Sequence, residues 1–247
     1  MRTLYRASRV HAPTHSGEWV LVDERHVERV GSGEPPAADQ VVDLPGTTIV
    51  PGFIDAHVHL TGTGMSLDGL DLSGVGSKEE MLEAARRHLA ERPGPLFAQG
   101  FDETTWPRPE LPSASELDAI SAEPMLLVRV DGYLSVANRA TIDSARAGEH
   151  PGLETGRDGS PTGVLRDRAN ATAQLWHVES LSDLDIRDAQ MRAGQLAASR
   201  GVTSVHEMSI PDKRGMRDAE VMLAMRQDLP IEVVPYIAMT DIPFVID

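Results

Sequence analysis

Two histidines, His57 and His59, stand one residue apart in Phe53-Ile54-Asp55-Ala56-His57-Val58-His59-Leu60. Side chains alternate faces along a strand. In extended conformation Phe53, Asp55, His57 and His59 therefore share one face, and Ile54, Ala56, Val58 and Leu60 the other. The two imidazoles then rise from Cα atoms roughly 6.5 Å apart. Their nitrogens can converge on one divalent ion at the roughly 2.0–2.1 Å that zinc prefers. A bare His-x-His is common on exposed strands. Here a Pro51-Gly52 entry, an apolar face suited to packing under helices and an acidic residue in phase favour a metal site over coincidence.

Composition narrows the remaining chemistry. The 247 residues contain no cysteine, which excludes a disulfide framework, a thiolate nucleophile and a thiolate metal site. With 38 acidic against 23 basic side chains the net charge is −15 at pH 7. Nucleic-acid surfaces need clustered Lys and Arg, so no nucleic-acid partner is expected. No stretch of eighteen apolar residues offers a membrane span, and the opening MRTLYRASRVHAP lacks the apolar region of a secretory signal. The expectation is a cytoplasmic protein with a small-molecule substrate.

The elements that must position the histidines divide at Pro51-Gly52. Residues 1–52 read as a β-rich unit, with short apolar runs at Trp19–Val22, Val41–Leu44 and Thr47–Val50 separated by Gly, Ser and Pro turns. Residues 53–247 read as α/β. Ser77-Lys78-Glu79-Glu80 is a capping box opening a helix, followed by strands at Leu96–Phe101 and Met125–Val130. Thr104–Pro112 and His150–Gly163 read as long loops. Ser182 caps a helix stopped by Gly201; Val202–Met208 is a strand; Met216, Ala219, Met222 and Leu223 mark a helix ended by Pro230; and Ile231–Ala238 is a strand. Strand, helix, strand, helix, strand is the pattern of a parallel α/β architecture.

Val42-Asp43-Leu44-Pro45-Gly46, then Val50 to Leu60, resembles the opening of the amidohydrolase superfamily, in the branch containing N-substituted formamide deformylase. Three further segments carry the resemblance: Gly100-Phe101-Asp102-Glu103-Thr104-Thr105-Trp106, Arg129-Val130-Asp131-Gly132-Tyr133 with Asn138, and Pro161-Thr162-Gly163-Val164-Leu165-Arg166. It implies an incomplete TIM (β/α)8 barrel with part of an N-terminal β-sandwich. It also implies an insertion, about residues 67–181, between barrel strands one and two. His57 and His59 become metal ligands on strand one, and the cofactor is a divalent metal, zinc foremost. The implied activity is hydrolysis of a non-peptide C–N bond, in a formamide, cyclic amide or similar substrate, through metal-activated hydroxide.

The resemblance also implies ligands that this chain does not display. Relatives use a carboxylated lysine on strand four, histidines after strands five and six, and an aspartate after strand eight. Only Lys78, in the first turn of a helix, and Lys213, in a polar loop, are lysines here, and neither ends a strand. The chain closes at Ile242–Asp247, before strand four. The alternative expectation is therefore a catalytically incomplete N-terminal half that forms a homo-oligomer or binds a complementary C-terminal half.

Other residues receive bland roles. His11, His15, His26 and His88 are expected at the surface or in packing, and His150 and His177 are assigned nothing. His206 shares a face with Val202 and Ser204, Glu207 faces oppositely, and a supporting or structural role is expected over direct ligation. Tyr133 stands where relatives often have histidine, and Asp167 where they often have glutamate. Trp106 and Trp176 read as core.

Overall fold

The computed structural model describes residues 1–209 and 216–237. The chain is mixed α/β and separates into two compact units, Met1–Phe53 and Ile54–Asp247.

The first unit is a four-stranded sheet of β1 (Arg2–His11), β2 (Ser16–Asp23), β3 (His26–Gly31) and β4 (Gln40–Ile49), in the order β3-β2-β1-β4. Strands β1, β2 and β3 pair antiparallel, and β4 runs parallel to β1. Strands β1 and β3, which the apolar runs do not mark, supply the pairing partners of β2 and β4. Leu4, Trp19 and Leu21 form the core of the sheet. Arg6 and Asp43, on neighbouring strands, pair at the surface.

The second unit contains two sheets. Its first elements are β5 (Phe53–Val58), α1 (Leu60–Asp68), β6 (Leu70–Asp71), α2 (Lys78–Glu91), β7 (Leu96–Phe101), α3 (Ala114–Asp118), β8 (Met125–Arg129) and β9 (Leu134–Ala137). There follow α4 (Arg139–Ser144), β10 (Leu153–Thr155), β11 (Pro161–Arg166), α5 (Asp167–Ser180), α6 (Asp183–Ser199), β12 (Val202–Ser209), α7 (Arg217–Met225) and β13 (Glu232–Ile237). One sheet has the order β10-β11-β9-β8-β7-β6 and the other β13-β12-β5.

In the six-stranded sheet β8 is covered on both faces. Met125 and Leu127 join one apolar cluster with Met81 and Phe101. Leu126 and Val128 alternate into a second, with Leu165, Ala169 and Ala173. Double coverage explains why Met125–Val128 is apolar without interruption. Asn138 follows β9, is fully buried, and ties the end of that strand to Met125 and Thr141. The stretch read as a long loop, His150–Gly163, is mostly a hairpin of β10 and β11, with the turn held by Asp158 accepting from Ser160. Its Pro, Gly and Asp residues signalled a turn but hid the short strands beside it.

In the three-stranded sheet β12 and β13 run parallel. Val205 and Val233 pack with Ala193 of α6, Met222 and Met225 of α7 and Leu60 of α1. Ser182 and Asp185 form a reciprocal capping box at the start of α6, and that bonding lowers the Asp185 carboxyl below its usual range. At α2 the box is only half made. Ser77 accepts from Glu80 N–H, but the Glu80 carboxylate turns to Gly76 N–H instead of Ser77. Helices α1 and α6 cross closely: a Cβ on Gly64 would lie 1.8 Å from the Ala189 carbonyl oxygen.

The expected apolar face of β5 is buried only at its C-terminal end. Ile54 is 63% exposed, and Ala56 is exposed. Val58 and Leu60 alone join the core. Among the described strands β5 lies at the edge of this sheet, beside β12. No helix among the described residues is long and apolar enough to cross a membrane.

Candidate metal centre

His57 is the fifth residue of β5 and His59 stands immediately after that strand. The sequence places both on one strand, but β5 ends at Val58, and His59 is the N-cap residue of α1 with φ −121° and ψ 87°. The rings still meet, edge to face, with centroids 5.3 Å apart. His57 is exposed and His59 half-buried. Asp55, in phase with them, accepts from the His57 backbone N–H at 3.1 Å.

Strand β12 holds the second histidine. His59 Nδ1 lies 2.7 Å from the Met208 carbonyl oxygen. A carbonyl can only accept, so it is Nδ1 that carries a proton in this contact. One residue along on both sides, the Leu60 N–H donates to Glu207 Oε2 at 2.6 Å. Glu207 is buried, on the helix-facing side with Val205. His206 alternates to the opposite side, where it stacks on Tyr236 with centroids 5.1 Å apart. Because Val58 packs with Val205 and Val233, His57 faces that same side of the sheet as His206 and Tyr236.

The pair remains a pair: among the described residues no group of three or more His, Asp or Glu is placed to hold a metal ion. Lys213 and the segment 242–247 lie outside the described residues. Lys78, at the first position of α2, pairs with Glu116 at 3.1 Å. Tyr133 is exposed at the β8–β9 tip, and Asp167 is exposed at the start of α5 with φ 44°. In the first unit, His15 bonds Thr14 and the Val30 carbonyl, and His11 bonds Ser16. Trp106 is core, its Nε1 donating to the Val75 carbonyl, and Trp176 packs against a core cluster.

A cleft of about 450 Å³ opens at the far end of α1, lined by Asp68, His88, Arg92, Phe97, His177 and Arg192 among others. Arg92 and Arg192 both reach Asp68, and His177 stacks on Phe97. Neither His57 nor His59 lines the cleft.

Residues 40–243 match the amidohydrolase family. The chain belongs to the amidohydrolase family. Two curated relatives of this amidohydrolase are N-substituted formamide deformylase of Arthrobacter pascens, 31% identical over 226 residues, and Protein LONG AFTER FAR-RED 3 of Arabidopsis thaliana, 34% identical over 176. These alignments take in 84% and 68% of the chain, but 41% and 30% of the relatives. A solved metal-dependent hydrolase of Pyrococcus horikoshii has a similar fold, with a TM-score of 0.71 at 22% identity, over 96% of this chain and 48% of that one. The chain thus spans half or less of the length of these relatives.

The sequence allowed Glu207 a supporting or structural role but did not show its partner, the Leu60 N–H. The signal of a partner was there: a carboxylate between Val205 and Ser209 on the face that packs under helices, where a charge needs a partner.

Proposed function

We propose that this amidohydrolase contributes to hydrolysis of a C–N bond outside peptides, in a small formamide-like or cyclic amide substrate, with His57 and His59 as ligands to a divalent metal, zinc foremost. The observation that carries the reading is the contact of His59 Nδ1 with the Met208 carbonyl. A backbone carbonyl is a usual partner for one nitrogen of a histidine that ligates a metal through the other. The neighbouring His57 ring, 5.3 Å away, brings the donors to two of the three protein ligands usual at a catalytic zinc.

A metal bound there supplies Lewis acidity toward a carbonyl oxygen. The protein's own part is to aim the imidazoles. The central strand β12 fixes one ring, and the strand alternation of β5 places the other on the same side of the sheet as His206 and Tyr236. In the same reading the three-stranded sheet belongs to a (β/α)8 barrel with its mouth at the histidines. The first unit is then part of a β-sandwich, residues 67–181 are an insertion, and the location is cytoplasmic. The formamide deformylase relative supports the bond type.

A second reading is favoured by one feature, the exposed Phe53 and Ile54 on β5. In it the chain works in an assembly, with a second copy or with a complementary polypeptide that supplies further strands and ligands. Light scattering tests this: association is expected, and a stable monodisperse monomer overturns it.

The metal reading is tested by mass-spectrometric metal content of the wild type and of the His57→Ala/His59→Ala variant. Loss of bound metal in the variant is expected. Unchanged stoichiometry overturns the ligand assignment.

A further inference from the structure

We propose that Glu207 is a positioning residue for His59: by accepting the Leu60 N–H it fixes the backbone from which the imidazole projects. This rests on the reading of His57 and His59 as metal ligands.

A helix opens with N–H groups that have no partner in the helix, and the N-cap side chain usually supplies the acceptor. Here the N-cap is His59, and its side chain makes no cap hydrogen bond; the ring is turned to Met208 instead. A residue that presents its side chain to a metal cannot also cap its own helix. The cap comes from the next strand, where Glu207 Oε2 sits 2.6 Å from Leu60 N. A carboxylate suits the positive end of the helix.

Burial sharpens the point. Glu207 is 4% exposed, and burying a carboxylate is costly unless it is well bonded. Two consecutive residues of β12, Glu207 and Met208, hold two consecutive residues of the site: Leu60 by its backbone and His59 by its ring. One turn of helix carries a further tie, since Gln190 Nε2 donates to Thr61 Oγ1 at 3.0 Å. With the ring and the following peptide both anchored on β12, little rotation is left at His59.

The experiment titrates the full chain with Co²⁺ alone, reads the visible absorption bands, and follows thermal unfolding without metal in parallel. Glu207→Gln keeps an acceptor oxygen and is expected to bind Co²⁺ as the wild type does. Glu207→Asp falls one methylene short, and Glu207→Ala removes the acceptor. Both are expected to lose about 10–100-fold in affinity, the usual effect of removing an outer-shell partner, with altered bands in whatever complex remains. If either binds as the wild type does while His57→Ala/His59→Ala does not bind, the positioning role is overturned, even if the melting temperature falls. If the double histidine variant also binds normally, the metal reading itself has failed. Should the Asp and Ala variants not fold, the wild type decides. Linkage is reciprocal, so Zn²⁺ must slow hydrogen exchange at the Leu60 amide, and unchanged exchange overturns the proposal.

Discussion

The His59 ring donates from Nδ1 to the Met208 carbonyl oxygen across 2.7 Å, joining residues 149 positions apart in the chain. At about pH 8, above the ordinary imidazole value of about 6.5, nitrogen NMR of the metal-free protein is expected to find the proton of His59 on Nδ1. A ring protonated on Nε2 would contradict the tautomer.

The buried Asn138 amide bonds through both its oxygen and its nitrogen. Its Oδ1 accepts from Met125 N, Thr141 N and Thr141 Oγ1, and its Nδ2 donates to the Ser121 and Glu123 carbonyls. Asn138→Ala strands the buried Met125 and Thr141 N–H groups, and each orphaned group costs about 1–3 kcal/mol. For the two groups together, denaturant unfolding is expected to show a loss of about 2–6 kcal/mol on that scale. A loss below about 1 kcal/mol would mean that water replaces the amide.

The β8–β9 tip should loosen in acid. Burial pushes the Asp131 carboxyl upward, but Arg129 and the Tyr133 N–H outweigh it and leave the carboxyl below its ordinary value. A depressed carboxyl stabilises the fold fully above the unfolded aspartate value of about 3.9. That contribution is lost as pH falls through the lower folded value. Hydrogen exchange at Tyr133, whose N–H donates to Asp131 Oδ1 at 2.9 Å, is expected to stay protected from pH 7 down to about 4 and to lose protection below it. Protection lost already near pH 6 would point to another group.

Gly64→Ala is expected to be severe, at least about 3 kcal/mol, the upper part of the range for overpacking. The new Cβ would meet the Ala189 backbone, which has no flexible end to move aside. Thermal unfolding measures it, and a variant with wild-type stability would mean that α1 and α6 separate freely.

Local signals carried most of what could be read from the chain. Helix α6 announces both ends, by Ser182 and by Gly201, and β8 announces itself by an unbroken apolar run. What stayed hidden depends on distant partners. Strand β1 buries chiefly Leu4 and Val10 between outward-facing arginines, so no alternation of apolar residues marks it. Helix α1 contains two glycines in nine residues and has poor intrinsic propensity; it forms where it packs on α6. The histidine pair was legible because it lies within three residues. The bond that sets its tautomer was not, because the acceptor is a main-chain oxygen of another strand, and every residue has one.

Helix α1 is pinned at its first residue by Glu207 and pressed on the Ala189 backbone at Gly64. Between these points the number of residues is a matter of phase, since each one turns the helix by about 100°. A single insertion or deletion between Leu60 and Gly64 would force a choice: keep the small residue at the crossing and swing His59 out of register, or keep His59 and drive a side chain into α6. The spacing from histidine to glycine works as a ruler, and loop-like tolerance of length is not available to it.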